Sequence, residues 1–202
     1  MTEEITEEIT EKTEQAIDNS DDIYQQKVIN GIIDLPEINV RIHAILDNIN
    51  IEHKFNKSVI FLYHDGIKTP TGMPFIRYSM KYERIRQGKI KIEPQSTYAQ
   101  NLGAEGTAYF LVNIKKNGYY VCDDIEKIGD GMILYQYKEL GVKSISCFPI
   151  YDRELQLVGL MMNYSFDHIH NYTDSEIDEL EIETAKISSL IDLIYYGDRQ
   201  EK

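Results

Sequence analysis

The spacing of apolar residues in the first quarter of the chain predicts two amphipathic helices. The first starts near Asp21 and is interrupted at Pro36, because proline lacks an amide hydrogen and its ring clashes with the preceding turn. The second runs to about Asn50, and its apolar residues recur at helical spacing: Ile38, Ile42, Ile45, Leu46 and Ile49. Before Asp21 the repeated TEEI carries too thin an apolar stripe to bury, which indicates a frayed helix or a disordered tail over residues 1–20.

Beyond residue 50 the pattern changes to short apolar runs separated by turn residues, which is typical of β-strands. Six strands are predicted, at Ser58–Tyr63, Phe75–Arg84, Thr107–Ile114, Tyr119–Cys122, Ser144–Ile150 and Leu157–Tyr164. The turn His64-Asp65-Gly66 ends the first strand, and Asn117-Gly118 makes a hairpin of the third and fourth, since Asn-Gly is strongly preferred in such turns. Two short helices are inserted, at Ser96–Leu102 and Met132–Leu140, each closed by a glycine.

The last element is a long helix with a strong start signal. Thr173 and Glu176 are spaced as a capping box, in which a hydroxyl and a carboxylate satisfy the first helical donors. Apolar residues then follow at intervals of three and four, with Thr184 among them, and form a heptad-like seam: Ile177, Leu180, Ile187, Ile191 and Ile194. We expect this seam to join two chains, so the sequence predicts a homodimer through the terminal helices.

This order of elements favours an α+β fold. An antiparallel sheet of about six strands would carry the N- and C-terminal helices on one face. The predicted organisation is an acidic tail over residues 1–20, an N-terminal helical segment over residues 21–50, and one folded domain over residues 51–196 that ends in the long helix.

Charge is unevenly distributed along the chain. The net charge is −13, and residues 1–22 hold nine acidic residues against one lysine, a balance of −8. Without a basic surface for a phosphate backbone, nucleic-acid binding is not expected. No apolar run reaches the 18 residues that a membrane helix needs, so no membrane association is expected. The two cysteines fit a reducing compartment, which predicts a cytoplasmic protein.

Five segments resemble, in order and spacing, the GAF domain. They are GAEGT at Gly103–Thr107, YYVCDDI at Tyr119–Ile125, LGVKSISCFPI at Leu140–Ile150, VGLMM at Val158–Met162 and YTDSEI at Tyr172–Ile177. The resemblance implies a GAF/PAS-like sheet of six antiparallel strands whose terminal helices pack on one face and often dimerise. It also implies a pocket on the other face, which in many members binds cyclic nucleotides, tetrapyrroles or amino-acid-like effectors.

A narrower resemblance concerns the segment Tyr63–Glu83, which is similar to uncharacterised GAF-like proteins encoded by bacteriophages. If the chain is phage-encoded, the expected location is the host cytoplasm or the virion.

The ligand and redox signatures of the family do not occur in this sequence. Cys122 and Cys147 lie in apolar strand-like segments, whereas the methionine sulfoxide reductases of this family carry cysteines in loops around the pocket. Buried structural thiols are therefore favoured over a redox pair. The loop cysteine and Asp-Ile-Pro of tetrapyrrole-binding members, and the Asn-Lys-x-Phe-Asp-Glu signature of cyclic-nucleotide-binding members, are also missing. We therefore expect no cofactor and no enzymatic activity.

Histidines offer two weaker candidates for chemistry. His168 and His170 are spaced to chelate a metal beside Asp167, but no third ligand is evident nearby, so a solvated loop is favoured. His64 would serve as a general base, but the sequence places no nucleophile beside it, and a strand-ending turn explains it better. No metal site and no catalytic residue are predicted.

The predicted ligand pocket is defined by tyrosines and two carboxylates. Strict alternation places Tyr78, Met80 and Tyr82 on one face of the second strand, where a half-buried sheet face is the simpler interpretation. The candidate pocket residues are Tyr78, Tyr82, Phe110, Asp123, Asp124 and Tyr135. Two functions stay open. One is a non-enzymatic module that binds a small molecule and acts through a partner protein or a homodimer. The other is a structural or assembly protein, for example of a phage particle, that keeps the fold without a ligand.

Overall fold

The computed structural model describes residues 35–68, 74–86, 94–95, 99–100, 102–103 and 107–196. The predicted acidic tail, the helix expected from Asp21 and most of the helix expected at Ser96–Leu102 lie outside these residues. Pro36 lies in the first turn of a helix that is described from residue 35. Within the described residues, an amide hydrogen at this position would have no helical acceptor, so proline costs no hydrogen bond there. No helix in the described part of the chain is both long and apolar enough to cross a bilayer.

The centre of the molecule is an antiparallel sheet of six strands in the order β3-β2-β1-β6-β5-β4. The strands are β1 Lys57–Lys68, β2 Pro74–Ile85, β3 Leu102–Gly103, β4 Tyr120–Cys122, β5 Ser144–Tyr151 and β6 Leu157–Ser165. The first strand thus pairs with both its sequence neighbour β2 and the last strand β6. The predicted α+β class with an antiparallel sheet is confirmed.

In the described part of the chain, four α-helices cover the two faces of the sheet. They are α1 over residues 35–52, α2 Ala108–Asn117, α3 Gly131–Glu139 and α4 Asp174–Tyr196. In β1, Ile60 and Leu62 join the core formed with α1 and α4, whereas Val59 and Phe61 join the core formed with α2 and α3. Because side chains alternate along a strand, one sheet serves two hydrophobic cores. We refer to these as the α1/α4 face and the α2/α3 face.

Helix α2 replaces a predicted strand. Phe110 and Ile114 are buried four residues apart, whereas Val112 between them is 72% exposed. A strand would put all three side chains on one face, but a helix turns Val112 away. Gly118 does not form a hairpin: its φ is 88° and its N–H donates to the carbonyl of Ile114, so it ends α2 as a left-handed cap. The predicted strand Thr107–Ile114 and its hairpin are wrong.

Two further predictions of local structure are corrected. Strand β1 does not end at His64, because His64 and Asp65 pair with Arg77 and Ile76 of the equally long β2. The turn signal is overridden by this partner strand. Leu102 does not end a helix: with Gly103 it forms the short edge strand β3 against Tyr78 and Arg77.

The predicted glycine after α3 and the predicted hydroxyl cap of α4 are confirmed. The Asp130 carboxylate accepts from the N–H groups of Met132 and Ile133 and starts α3, and Gly141, at φ 75°, follows its end. At the start of α4 the Thr173 hydroxyl accepts from the N–H of Glu176 at 3.3 Å. The Glu176 carboxylate contacts His170 and His53. Of the two hydrogen bonds of the predicted capping box, the final helix therefore has the one accepted by the Thr173 hydroxyl.

A β-bulge in β2 changes which residues share a face. Ile60 pairs with Tyr82 and Phe61 pairs with Met80, so Lys81 is an extra residue between the two pairs. An inserted residue reverses the alternation beyond it. Tyr78 and Met80 therefore face α2 and α3, whereas Tyr82 faces α1 and α4. The prediction that Tyr78, Met80 and Tyr82 lie on one face is wrong.

The seam of α4 is buried within one chain. Ile177, Leu180, Ile187 and Ile191 lie in the core of the α1/α4 face, and Ile194 packs against its margin. The four core residues are at most 7% exposed, so they are not available to contact a second chain. A homodimer through the terminal helices, which stays a prediction, would have to use other side chains of α1 and α4.

Candidate ligand-binding face

The predicted pocket residues do not all come together. Tyr78 of β2 and Phe110 of α2 lie on the α2/α3 face, as one pocket requires. Tyr82 lies on the opposite face, where its hydroxyl donates to the Asn39 side chain of α1 at 2.7 Å. Tyr135 is 65% exposed on the outer side of α3. Tyr78 and Phe110 therefore belong to the hydrophobic core of one face, and Tyr82 and Tyr135 do not.

Asp123 and Asp124 hold the loop after β4 in place. The Asp123 carboxylate accepts from the N–H of Tyr172 at 3.1 Å, which ties this loop to the approach to α4. The Asp124 carboxylate accepts from the N–H of Glu126 at 3.1 Å and caps the single 3₁₀ turn Ile125–Lys127. Both carboxylates make structural hydrogen bonds that explain their positions.

An aromatic cluster covers the α2/α3 face, and we call this set the aromatic face: Phe61, Tyr63, Tyr78, Phe110, Tyr120, Tyr137 and Tyr164. Its rings meet mostly edge to face. The Tyr78 ring centroid is 5.2 Å from that of Phe61, and the Phe110 centroid is 5.3 Å from that of Tyr120 and 6.0 Å from that of Tyr137. This is the preferred geometry of packed aromatic rings. Strands and helices together thus build a packed aromatic wall.

The tyrosine hydroxyls of the aromatic face stay neutral. Burial raises the pKa of Tyr63 to about 12, although the hydrogen bond between its hydroxyl and that of Thr107, at 3.0 Å, opposes the rise. Burial also raises the pKa of Tyr137 and of Tyr164. A neutral phenol both donates and accepts a hydrogen bond, so these hydroxyls suit recognition of polar groups better than proton abstraction.

Both cysteines also lie in the core of this face. Cys122 and Cys147 are buried free thiols, and burial raises the pKa of each. The thiolate is the reactive form, so a raised pKa makes a thiol unreactive at neutral pH. This supports the expectation that the cysteines are structural.

A buried ion pair was missed by sequence reasoning. The Lys57 ammonium of β1 is 2.6 Å from the Glu83 carboxylate of β2, and both side chains are almost fully buried. Burial lowers the pKa of Lys57, and the hydrogen bond and charge of Glu83 partly oppose that change. The signal was a lysine placed directly before the apolar run SVIFLY. Its partner could not be identified without the strand register.

The ion pair fastens the connection between β2 and α2. The Gln95 side chain accepts from the Lys57 ammonium at 3.0 Å, and the Gln95 N–H donates to both Glu83 oxygens at 2.8 and 3.0 Å. Further along, the carbonyl of Ala99 accepts from the N–H of Met80, before β3 pairs with β2. The described parts of this connection therefore follow the edge of β2, next to the aromatic face.

The histidines that the sequence offered as a general base or as metal ligands make ordinary polar contacts. The His64 ring nitrogen Nε2 is 2.9 Å from the Ser79 hydroxyl on the neighbouring strand, a cross-strand contact of an ordinary kind. His168 contacts Asp167, and His170 contacts Glu176. Among the residues that the structure describes, no three His, Cys, Asp or Glu side chains are arranged to hold a metal ion.

Two grooves lie beside α4. One, of about 490 Å³, lies on the outer side of α1 and α4, between the two helices. It is lined by Arg41, Ala44, Ile45, Lys186, Ser189, Leu190 and Leu193. The other, of about 760 Å³, lies between α4 and the end of the β5–β6 hairpin, and its lining includes Tyr151, Leu155 and Leu193. Both open on the side of the terminal helices, away from the aromatic face.

Comparison with known proteins identifies the fold. No family model matches the sequence, and no curated protein is similar to it. Solved structures do match. The blue-light-absorbing form of the PixJ GAF domain of Thermosynechococcus elongatus is 14% identical with a TM-score of 0.61, covering 81% of this chain and 89% of that one.

Two other solved structures give the same result. A GAF domain region from Geobacter sulfurreducens PCA is 16% identical with a TM-score of 0.55, over 82% of this chain and 98% of that one. A GAF domain of Synechocystis sp. PCC6803, in its photoproduct state, is 14% identical with a TM-score of 0.58, over 77% and 93%. At these identities the likeness is one of fold, and it confirms that this chain has the fold of a GAF domain.

Proposed function

We propose that this protein is a non-enzymatic regulatory module that binds a small molecule at the aromatic face and acts through a partner protein or a homodimer. The observation that carries the proposal is the division of the sheet into two faces. One face carries an aromatic wall with neutral hydroxyls, and the other packs against both terminal helices. A ligand on one side and an output surface on the other would then share the same strands.

The chemistry of the aromatic face favours an uncharged, flat ligand. Ligand sites are commonly apolar and aromatic with a few polar groups that fix orientation, and neutral phenols are such groups. Lys57, a cation on this face, is already paired with Glu83, so it adds little attraction for an anion. Stacking on tyrosine rings and hydrogen bonds to their hydroxyls would supply the affinity.

The same geometry supports a role without catalysis. Both thiols are buried and have raised pKa values. His64 and its neighbour Ser79 lie on strands β1 and β2, and Ser79 follows Tyr78 and so faces away from the aromatic face. His64 and Ser79 are therefore separated from the candidate ligand site, and the two thiols that lie beside it are unreactive at neutral pH.

The proposal can be tested by native mass spectrometry of the purified protein, before and after extraction under denaturing conditions. We expect a small molecule to co-purify and, when added back, to raise the melting temperature. Tyr78→Leu should abolish this rise, because the Tyr78 ring is packed into the aromatic face. Tyr135→Leu is the matched control, since Tyr135 is exposed on α3 and its loss should leave the rise unchanged.

The second candidate is a structural or assembly protein, for example of a phage particle. The observation in its favour is that the two grooves beside α4 lie away from the aromatic face and expose leucines. If the purified protein carries no ligand and is found in fixed proportion within a larger complex, this candidate replaces the first.

A further inference from the structure

The hairpin that joins β5 to β6 presents an exposed leucine in an unusual backbone conformation. Leu155 has a φ of 58° and is 80% exposed. Its N–H donates to the carbonyl of Asp152 at 3.0 Å, so a tight turn ends in a left-handed residue, at a position that glycine normally takes in such hairpins. A Cβ disfavours this conformation, and an apolar side chain left in water gains nothing by burial. The stability of the fold therefore does not explain this leucine.

Hydrogen bonds hold the turn firmly in place. The Asp152 carboxylate accepts from the N–H groups of Glu154 and Gln156, at 2.9 and 2.8 Å. Arg153 attaches the turn to α4, because its backbone N–H donates to Oδ1 of Asp192 at 3.2 Å and its side-chain Nε donates to Oδ2 at 2.9 Å. The hairpin and α4 therefore keep a fixed separation. A groove that is formed in advance requires little ordering when a partner binds.

Leu155 lines the groove of about 760 Å³ between α4 and this hairpin, which we call the hairpin groove. Tyr151 and Leu193 also line it and are 40% and 45% exposed. Three large apolar side chains thus meet solvent around one depression, whereas exposed apolar residues are usually scattered singly. Pro149 of β5 is part of the lining and has no N–H to pair with an added strand, so the groove suits a helix better than a strand.

The charge around the hairpin groove selects the kind of helix. Among the described residues that line it, there are three carboxylates and one guanidinium: Asp152, Glu181 and Asp192 against Arg153. Helix α4 as a whole carries seven acidic residues and one lysine. This surface would repel the chain's own residues 1–22, with their balance of −8, and a second copy that met it groove to groove. The complementary occupant has lysine or arginine beside its apolar residues.

We propose that the hairpin groove docks a basic amphipathic helix of a partner protein, with Leu155 as the central contact. The apolar side of that helix covers Leu155 and Leu193, and its basic side chains approach Glu181, which is exposed. The proposal rests on the partner-binding part of the proposed function and adds to it the surface and the chemistry of the partner. Docking requires no ligand at the aromatic face.

The first experiment measures the binding of a synthetic peptide to the full chain by isothermal titration calorimetry. The peptide is an amphipathic helix with leucines on one side and lysines on the other, and a second peptide has glutamate in place of every lysine. We expect only the lysine peptide to bind. We expect Leu155→Asn to raise its Kd about tenfold or more, as the loss of a central contact does.

Val40→Asn is the matched control for this measurement. Val40 is an apolar residue of α1 that is 68% exposed and does not line the hairpin groove, so its replacement should leave the Kd unchanged. A wild type that does not bind the lysine peptide would overturn the proposal. So would a Leu155→Asn variant that binds it as tightly as the wild type.

The second experiment determines whether Leu155 serves the fold instead. Asparagine adopts the left-handed conformation more readily than leucine, so urea denaturation of Leu155→Asn should give an unfolding equilibrium constant about threefold smaller than that of the wild type. A variant less stable than the wild type would show that the leucine packs within the chain, and the docking role would be wrong.

Sedimentation of the wild type and Leu155→Asn identifies a second copy as the occupant. We expect the two proteins to sediment alike. If the wild type associates with itself and Leu155→Asn separates the copies, the groove binds a second copy and the basic partner is refuted. None of these measurements involves a small molecule, so a negative result here and a failure of ligand binding at the aromatic face are distinguishable.

Discussion

Replacing Ile187 with aspartate should strongly destabilise the single chain. Ile187 is 0% exposed in the core shared by α1, α4 and the sheet, so the new carboxylate would be buried without a partner. Losing the apolar side chain and burying a charge together should lower the free energy of unfolding by about 4 kcal/mol or more, against a typical total of about 5–15 kcal/mol. Urea denaturation followed by circular dichroism measures the change.

A control on the same helix separates the core from a dimer interface. Ile182 is 57% exposed on α4, so Ile182→Asp should change the free energy of unfolding by less than about 0.5 kcal/mol. If two chains associate through the outer side of α4, sedimentation should show that Ile182→Asp separates them while each stays folded. An Ile187→Asp variant that remains folded and only dissociates would show that the seam joins two chains after all.

Glu83→Gln should be nearly as damaging, because it leaves the buried Lys57 ammonium without its counter-charge. Removing one partner of a buried ion pair lowers the free energy of unfolding by about 3–5 kcal/mol. The amide oxygen of the new glutamine can still accept from the N–H of Gln95, so the connection to α2 keeps one of its attachments. The loss measured by urea denaturation therefore reports the charge.

The double variant Lys57→Met, Glu83→Gln is the matched control. Burial outweighs Glu83 in lowering the pKa of Lys57, which indicates that the ammonium is held against a desolvation penalty. Replacing a buried pair by uncharged residues of similar volume is often neutral. We expect the double variant to recover most of the stability lost in Glu83→Gln. A double variant as unstable as the single one would mean that the ion pair itself contributes the stability.

Local signals in the sequence predicted much of the fold. The apolar runs at Ser144–Ile150 and Leu157–Tyr164 lie in the interior of the sheet, so both of their faces are buried and the strands are unmistakable. The Thr173 cap acts through a hydrogen bond to an N–H three residues away, so its spacing from Glu176 alone identifies it. The structure of such elements is determined by their own sequence.

Other elements depend on partners that are far away in the chain. The eight-residue apolar run at Thr107–Ile114 is compatible with a strand or a buried helix, and packing against the sheet decides for a helix. The pairing of Lys57 with Glu83 follows from the β1–β2 register. The contact of His53 with Glu176 joins residues that are 123 positions apart (176 − 53 = 123). No local pattern contains that information.

The sequence named candidate site residues but not the face of the sheet on which each lies. Tyr78 and Phe110 lie together on the α2/α3 face, and their role in binding a ligand stays a prediction. Tyr82 does not reach this face because the bulge turns it to the other one. Asp123 and Asp124 bind backbone N–H groups instead, because loop carboxylates bind such groups as readily as they bind ligands. Sequence alone does not distinguish these two uses of an aspartate.

The bulge at Lys81 changes which residue numbers, even or odd, face each side of the sheet along β2. Up to Met80 the even-numbered side chains build the α2/α3 face, and from Tyr82 onward they build the α1/α4 face. Deleting this one residue would remove the bulge and leave Met80 and Tyr82 as direct neighbours on opposite faces, with Glu83 still on the same side of the sheet as Lys57. In any set of homologous sequences, a gap at position 81 would therefore mark a chain with a regular β2 whose two cores are assembled from the same residues.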